Sequence, residues 1–525
     1  MKKKLFAGAA VMLALAWSGG PALAKTEPGK PAAARAGGAK PSGNEVERAL
    51  GALAELDEER LGRDRAYAEA TLRHIRLART IPSDAGVEIA FLRIEILAYV
   101  TLGRHEEARR VSERLLATGT DEASDYWEVW IAAAEAESRE RMAAVIVAAL
   151  AAVRAEDERA ILFEIFNPEA VWDIYRGLTR EEKRDQQLAM AEALVAAGWP
   201  GESDADSRDS MRMAVVRART ERGDLAGLAP IADGIRSVRS VLELVVLRKY
   251  EALGLGADPA ARLQAALADS DRTTAAALAR QPDDPAVLLE RVQYLRRAGR
   301  SAEAFGLVEP RLSDPAAMAR ESEKGMWLVN EAAYALSDLG RASEAADLMG
   351  RLTVLDPAAH PYLINLFINH LSVLWEAERA AESLERVKVL EGAQGRYASM
   401  FGKMWIWAGG VCALAQLGRG DEAAPWLAKL SENSQENGAA HTRALLCMGD
   451  EDAAEALLVR RLGGDDADRL VIGLQDYRGG TLVAPAQALD DRLMRVRERP
   501  AVREALEHVG RVMELPLSRT YYGSM

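Results

Sequence analysis

Residues 326–359 read MWLVNEAAYALSDLGRASEAADLMGRLTVLDPAA. A run of helical period leads to Gly340, a second helical run follows, and Pro357 ends it. The hexapeptide GRASEA at the break is not unique. Gly-Arg-x-x-Glu-Ala also starts at Gly103, Gly299 and Gly418, with weaker copies from Gly223, Glu378 and Gly449. From Gly299 onward the copies fall roughly 30–40 residues apart, the length of a helical hairpin and its loop. The pattern has a physical cause. Gly ends the first helix because the chain turns there through positive φ. Glu sits in the first turn of the next helix, where the macrodipole favours a negative charge. Ala is small because the two helices approach most closely at that point. Apolar residues precede the turn at helical spacing, as with Leu92, Ile96, Tyr99 and Leu102 ahead of Gly103.

Outward from this stretch the same grammar holds. Helical patterns of about 12–18 residues alternate with short breaks rich in Gly, Asp or Pro. Asn44 and Asn167-Pro168 have the form of helix starts, and Thr179 to Glu182 has capping-box spacing. No alternating run marks a strand. The composition agrees: 49% of the 525 residues are hydrophobic but only 6% aromatic, which supplies a core for helices and excludes wholesale disorder.

These residues resemble the tetratricopeptide repeat family, whose motif is about 34 residues long. The small residue five positions after the turn falls on Ala108, Ala304, Ala345, Ala423 and Ala454. The family's later proline falls on Pro357, and its aromatic positions on Trp407 and Tyr99. A second glycine of the motif is missing, with Ala333 and Val411 in its place. The likeness is solid over about 90–120 and 285–462, and only architectural elsewhere, with 121–281 matching poorly. It implies an all-α, superhelical solenoid of antiparallel helix pairs. The segments are a divergent repeat region at 44–284, tetratricopeptide-like repeats at 285–462, and capping helices with a tail at 463–525, the cap proper spanning Ala484 to Leu517.

The N-terminus has the form of a secretory signal. Lys2, Lys3 and Lys4 precede an apolar run from Leu5 to Trp17 and the small-residue site Ala22-Leu23-Ala24, which predicts cleavage after Ala24. Residues 25–43, rich in Pro, Ala, Gly and Lys, predict a flexible tether. The expected location is periplasmic or secreted. The run to Trp17 is too short to cross a bilayer, and so is the run from Met142 to Val153. The formal charge of −13, more negative once the three lysines are removed, disfavours nucleic acid and anionic lipid.

Chemistry-bearing motifs are missing. His74, His105, His360, His370, His441 and His508 show no metal-ligand spacing and suit surface or capping roles. The acidic clusters at Asp204 to Asp206, Asp450 to Asp452 and Asp465 to Asp468 complete no calcium loop and suit helix caps. There is no Walker A and no nucleophile elbow. We expect no catalytic residue, cofactor or metal. Cys412 and Cys447 fall on adjacent first helices. With helix axes about 8–10 Å apart, free buried thiols are favoured over a disulfide, which stays open as the alternative.

The resemblance implies that first helices line an inner face. Mapped residue by residue, that face carries Trp327, Asn330 and Tyr334, then Asn365, Ser372 and Trp375, then Trp405. Aromatics beside hydrogen-bonding side chains suit a peptide or glycan groove, although packing against the next repeat would explain the same tryptophans. The expected role is an exported scaffold holding another envelope protein or peptide, or a polysaccharide, and not an enzyme. The alternative is an envelope hydrolase or lytic enzyme with an unrecognised carboxylate site.

Overall fold

The structure, a computed structural model, describes residues 42–200, 205–255, 258–392 and 394–522. The signal peptide, nearly all of the tether, and the cluster at Asp204 to Asp206 lie outside the residues whose side chains are described. The chain forms two compact units that divide after Arg219, whereas the sequence places its change of character at 284/285.

Both units are all-α solenoids of antiparallel helix pairs, apart from one small strand pair in the second. The turn between paired helices is built the same way throughout. Gly103, Gly299, Gly340, Gly418 and Gly449 all have positive φ, between 70° and 76°. The residue after each turn donates its backbone N–H to the carbonyl five residues back, as in Arg341 to Leu336 at 2.9 Å and Arg419 to Leu414 at 2.9 Å. These 6→1 bonds satisfy helix carbonyls that would otherwise be orphaned. The alanines five residues after the turns, Ala108, Ala304, Ala345, Ala423 and Ala454, are completely buried.

The recurring spacing of Arg and Glu has a second cause besides the macrodipole. Arg104, Arg300, Arg341, Arg379 and Arg419 bind Glu107, Glu303, Glu344, Glu382 and Glu422, each at 2.6–2.7 Å across the helix start. Exposed pairs of this kind stabilise by only about 0.3–0.5 kcal/mol each.

In the second unit the first helices form a continuous row: Pro285–Arg297, Glu323–Asp338, Leu363–Glu376, Met400–Gln416 and Gly438–Met448, each packed on the next. The C-terminal segment does not simply stack on the end of this row. Helix Ala484–Arg497 packs on Leu363–Glu376 and Gly438–Met448, and Arg519–Tyr522 packs on Pro285–Arg297. The unit's beginning also meets its end. Val238–Val246 packs on Ala467–Gly473, and Arg511 binds Glu251 at 2.6 Å.

Several expectations need correction. A parallel pair, β1 (Asp476–Gly479) and β2 (Glu514–Ser518), stands where no strand is expected. Pro516 inside β2 hides it from an alternation search. Gln475 clamps the approach, donating to the carbonyls of Val471 and Arg511 and accepting from the Met513 N–H at 2.8 Å. Thr179 to Glu182 ends a helix, with Glu182 itself at φ 57°. The first described helix is capped by Ser42 with Glu45, and not by Asn44. His370 and His441 are buried rather than on the surface.

Cys412 and Cys447 form a disulfide with Cα atoms 5.1 Å apart, against the preference for free thiols. The separation of helix axes is the wrong measure. Each Cα lies about 2.3 Å off its axis, so facing Cα atoms sit several ångströms closer than the axes do. Among the described residues no helix is long and apolar enough to cross a membrane.

Candidate functional site

Between the row of first helices and the returning C-terminal segment lies a cavity of about 350 Å³. Trp327, Asn330, Tyr334, Ser372 and Trp375 line it, so five of the seven residues nominated for the inner face converge there. Asn365 and Trp405 do not. Asn365 is exposed near the start of its helix. Trp405 packs against a hydrophobic cluster that includes Met404, Ala408 and Val411.

The polar wall is a graded set of charges. At one end, Arg296 donates to Glu331 at 2.6 Å and to Asp338 at 3.0 Å. Ser301 Oγ also donates to Asp338, at 2.7 Å, and the Arg296 guanidinium lies 5.0 Å from the centroid of the Tyr334 ring. Burial pulls this guanidinium down, but the two carboxylates together hold it above its ordinary value. Here the cation meets both carboxylates directly.

At the other end the matching is incomplete. Glu376 accepts from Ser337 Oγ at 2.7 Å. Burial pushes its carboxyl up, while Ser337 and the attraction of Arg443 offset part of the rise. Arg443 lies over the Trp375 ring, 5.1 Å from its centroid. Burial pushes its guanidinium down, offset in part by attraction to Glu376 and Tyr334. Among the described residues no protein oxygen accepts a hydrogen bond from the Arg443 side chain. Between the two ends, Asn369 donates to Asn330 at 2.9 Å. Burial and then Glu376 raise the Tyr334 hydroxyl.

The apolar part of the lining comes mainly from the C-terminal segment, Leu482, Val483, Leu489 and Leu493, joined by Leu446; the same segment adds Thr481, Asp490, Arg519, Thr520 and Tyr521. The segment is tied down by Arg519, which donates to Asp490 and, at 3.0 Å, to the Gln475 carbonyl.

Sequence reasoning missed Arg296, Glu331, Asp338, Glu376 and Arg443. For Arg443 a signal was present. Tyr334 lies six residues before Gly340, Ser372 six before Glu378, and Arg443 six before Gly449. Continuing the inner-face register one repeat further would have found it. Nothing in the sequence announces the apolar lining, because it belongs mainly to the segment expected to cap the end.

No family model matches the chain, and no curated protein does either. Among solved structures, it is similar to a circular tandem repeat protein described as having a novel repeat topology and enhanced subunit contact surfaces. The identity is 18%, over 88% of this chain and 96% of that chain, with a TM-score of 0.17. The chain is an all-α helical-repeat protein.

Proposed function

We propose that the chain is an exported helical-repeat binding scaffold, of the tetratricopeptide kind, and not an enzyme. Its working surface is the inner face of the second unit, and its partner is another envelope protein or peptide, or a polysaccharide. The observation that carries this reading is the convergence of Trp327, Asn330, Tyr334, Ser372 and Trp375 on one cavity. Aromatic anchors among hydrogen-bonding groups in a desolvated pocket are what concentrates binding energy. Export rests on the lysines, apolar run and small-residue site of residues 1–24.

The competing reading, an envelope hydrolase, calls for a pair of available carboxylates. Three of the carboxylates lining the cavity are already committed: Glu331 and Asp338 to Arg296, and Asp490 to Arg519. Glu376 alone is left, which supports a binding role over a catalytic one.

The test is affinity capture from the native envelope with the full chain and with Trp327→Ala and Trp405→Ala. Trp327, half-buried at the cavity and bonded through Nε1 to Glu323 at 3.2 Å, should lose capture with helicity and melting retained. Trp405→Ala should instead lower the melting temperature, because its ring packs in a core cluster. Capture unchanged by Trp327→Ala would remove the inner face as the working surface.

A further inference from the structure

The three arginines that line the cavity differ in one respect. Arg296 is saturated by Glu331 and Asp338, and Arg519 by Asp490 and two backbone carbonyls. Arg443 is not. Its guanidinium lies over the Trp375 ring, 5.1 Å from the centroid, and its N–H donors meet no acceptor among the described residues. A guanidinium held this way matches a carboxylate, two oxygens against two parallel N–H groups. Arg443 is half-buried, so its N–H groups face the cavity without a protein acceptor and are open to one brought by a ligand.

The surroundings narrow the ligand. Glu376, one of whose oxygens accepts from Ser337, stands close enough to Arg443 to attract it but does not meet it in an ion pair. A second negative charge on the ligand would meet Glu376, so a phosphate dianion is disfavoured. An ammonium or amide N–H beside the carboxylate would be welcomed. The C-terminal segment adds the apolar side chains of Leu482, Val483, Leu489 and Leu493 beside the polar Thr481, Thr520 and Tyr521. The volume, about 350 Å³, lies at the small end of the range for ligand sites, about 300–1,000 Å³.

We propose that this cavity binds a small zwitterion with an apolar side chain, an amino acid or dipeptide, its carboxylate on Arg443 and its ammonium towards Glu376. The inference deepens the inner-face reading and rests on it. The disulfide serves the same site. Cys447 lies one helical turn beyond Arg443, so its bond to Cys412 anchors the helix that presents the guanidinium.

The experiment is calorimetric titration and thermal shift of the full chain with L-leucine, L-leucyl-L-leucine, leucinamide and N-acetylleucine. At least one of the two zwitterions should bind and raise the melting temperature. Its counterparts lacking the carboxylate or the ammonium should bind about tenfold to a hundredfold more weakly, the worth of one charged hydrogen bond. Arg443→Met should abolish binding while leaving the melting temperature of the free protein unchanged or higher. Glu376→Gln should weaken binding of the zwitterion and leave N-acetylleucine unaffected.

The proposal is overturned if neither zwitterion binds at millimolar concentration, or if Arg443→Met binds as the parent does. It is overturned equally if Arg443→Met melts well below the parent, since that would make the cation a structural partner of Trp375. Zwitterion binding combined with envelope capture that ignores Trp327→Ala would keep this site and remove the scaffold surface. Capture that depends on Trp327 without zwitterion binding would do the reverse.

Discussion

The turn at Gly340, in the second unit, and the turn at Glu182, in the first, are the same turn made from different residues. Both have positive φ, 76° and 57°. Both place a 6→1 bond of 2.9 Å behind the turn, Arg341 to Leu336 and Lys183 to Leu178. The surrounding signature is nonetheless lost at Glu182. Where Arg341 forks onto Glu344, Lys183 reaches away to Glu140 at 3.3 Å. Where the buried Ala345 lets the helices close, Gln187 stands and donates to the Tyr175 carbonyl at 3.0 Å. Glu137 repeats this substitution of Glu for Gly in the first unit, and Glu378 does so in the second. The turn is required by the chain's path, whereas the glycine only makes it cheap.

Buried charge separates the two units in a parallel way. In the second, Arg296 closes a complete set with Glu331 and Asp338. In the first, Arg93 takes Asp125 and, at 2.7 Å, Glu122. Glu128 is left over, with Oε2 buried and without a partner. Burial, and then the neighbouring Glu58, push the Glu128 carboxyl up to about 8, and burial pushes Glu58 up to about 7. A complete set and a surplus carboxylate respond oppositely to mutation, and that gives the largest test. Arg296→Met should cost about 3–5 kcal/mol in chemical denaturation, because it leaves the buried Glu331 and Asp338 carboxylates without their cation. A loss below about 1 kcal/mol, the range of exposed pairs, would show that the second unit's charges are no better matched than the first's.

The next effect in size is the disulfide, which the second unit has and the first, with no cysteine, does not. Reduction should lower stability by about 3–4 kcal/mol in a loop-entropy account for a sequence separation of 35. The loss should be confined to the second unit, read by hydrogen exchange along both units. Equal loss of protection in 42–200 would break the distinction.

A smaller effect is expected at Glu128, and its sign follows from linkage. A carboxyl whose pKa is raised on folding contributes stability that is fully present below the unfolded value of about 4.5. That contribution is lost as pH rises through about 8. The first unit should therefore weaken between those limits, and Glu128→Gln should flatten the dependence. By pH 9 the variant should be the more stable by about 1–3 kcal/mol, typical of relieving an unsatisfied buried polar group. Parallel pH profiles for the two proteins would show that Glu128 is solvated in the folded state.

These contrasts also explain what the sequence made legible. The all-helical repeat and its register from 285 to 462 follow from a turn glycine and a helical period, which are local signals, and five of the residues around the cavity follow from the family resemblance laid on that register. The pairs at Glu137 and Glu182 were illegible because the signature residues were replaced while the geometry was kept. The cavity's apolar lining, β2 and the pairing of Arg296 depend on where distant segments return. No periodicity reports that. Arg443 falls between these cases, since it is in register but has a residue type the groove expectation did not seek.

The smallest effects test the turn comparison directly. Gly340→Val forces a β-branched residue to φ 76° and should cost about 1–2 kcal/mol. No side chain is in the way: a Cβ at Gly340 would meet nothing within 4 Å. The cost is therefore one of backbone conformation alone. The reverse change, Glu182→Gly, removes the same strain where the chain already tolerates it. The folded state should gain, but glycine also loosens the unfolded chain, which returns about 0.4–1 kcal/mol. The net gain should thus be under about 1 kcal/mol, smaller than the loss at Gly340. Denaturation midpoints of the two variants measure both. If Glu182→Gly destabilises the first unit as much as Gly340→Val does the second, the glutamate's side chain holds the turn through contacts of its own. The eroded pairs would then be a different solution to the turn, and not the glycine turn with its signature worn away.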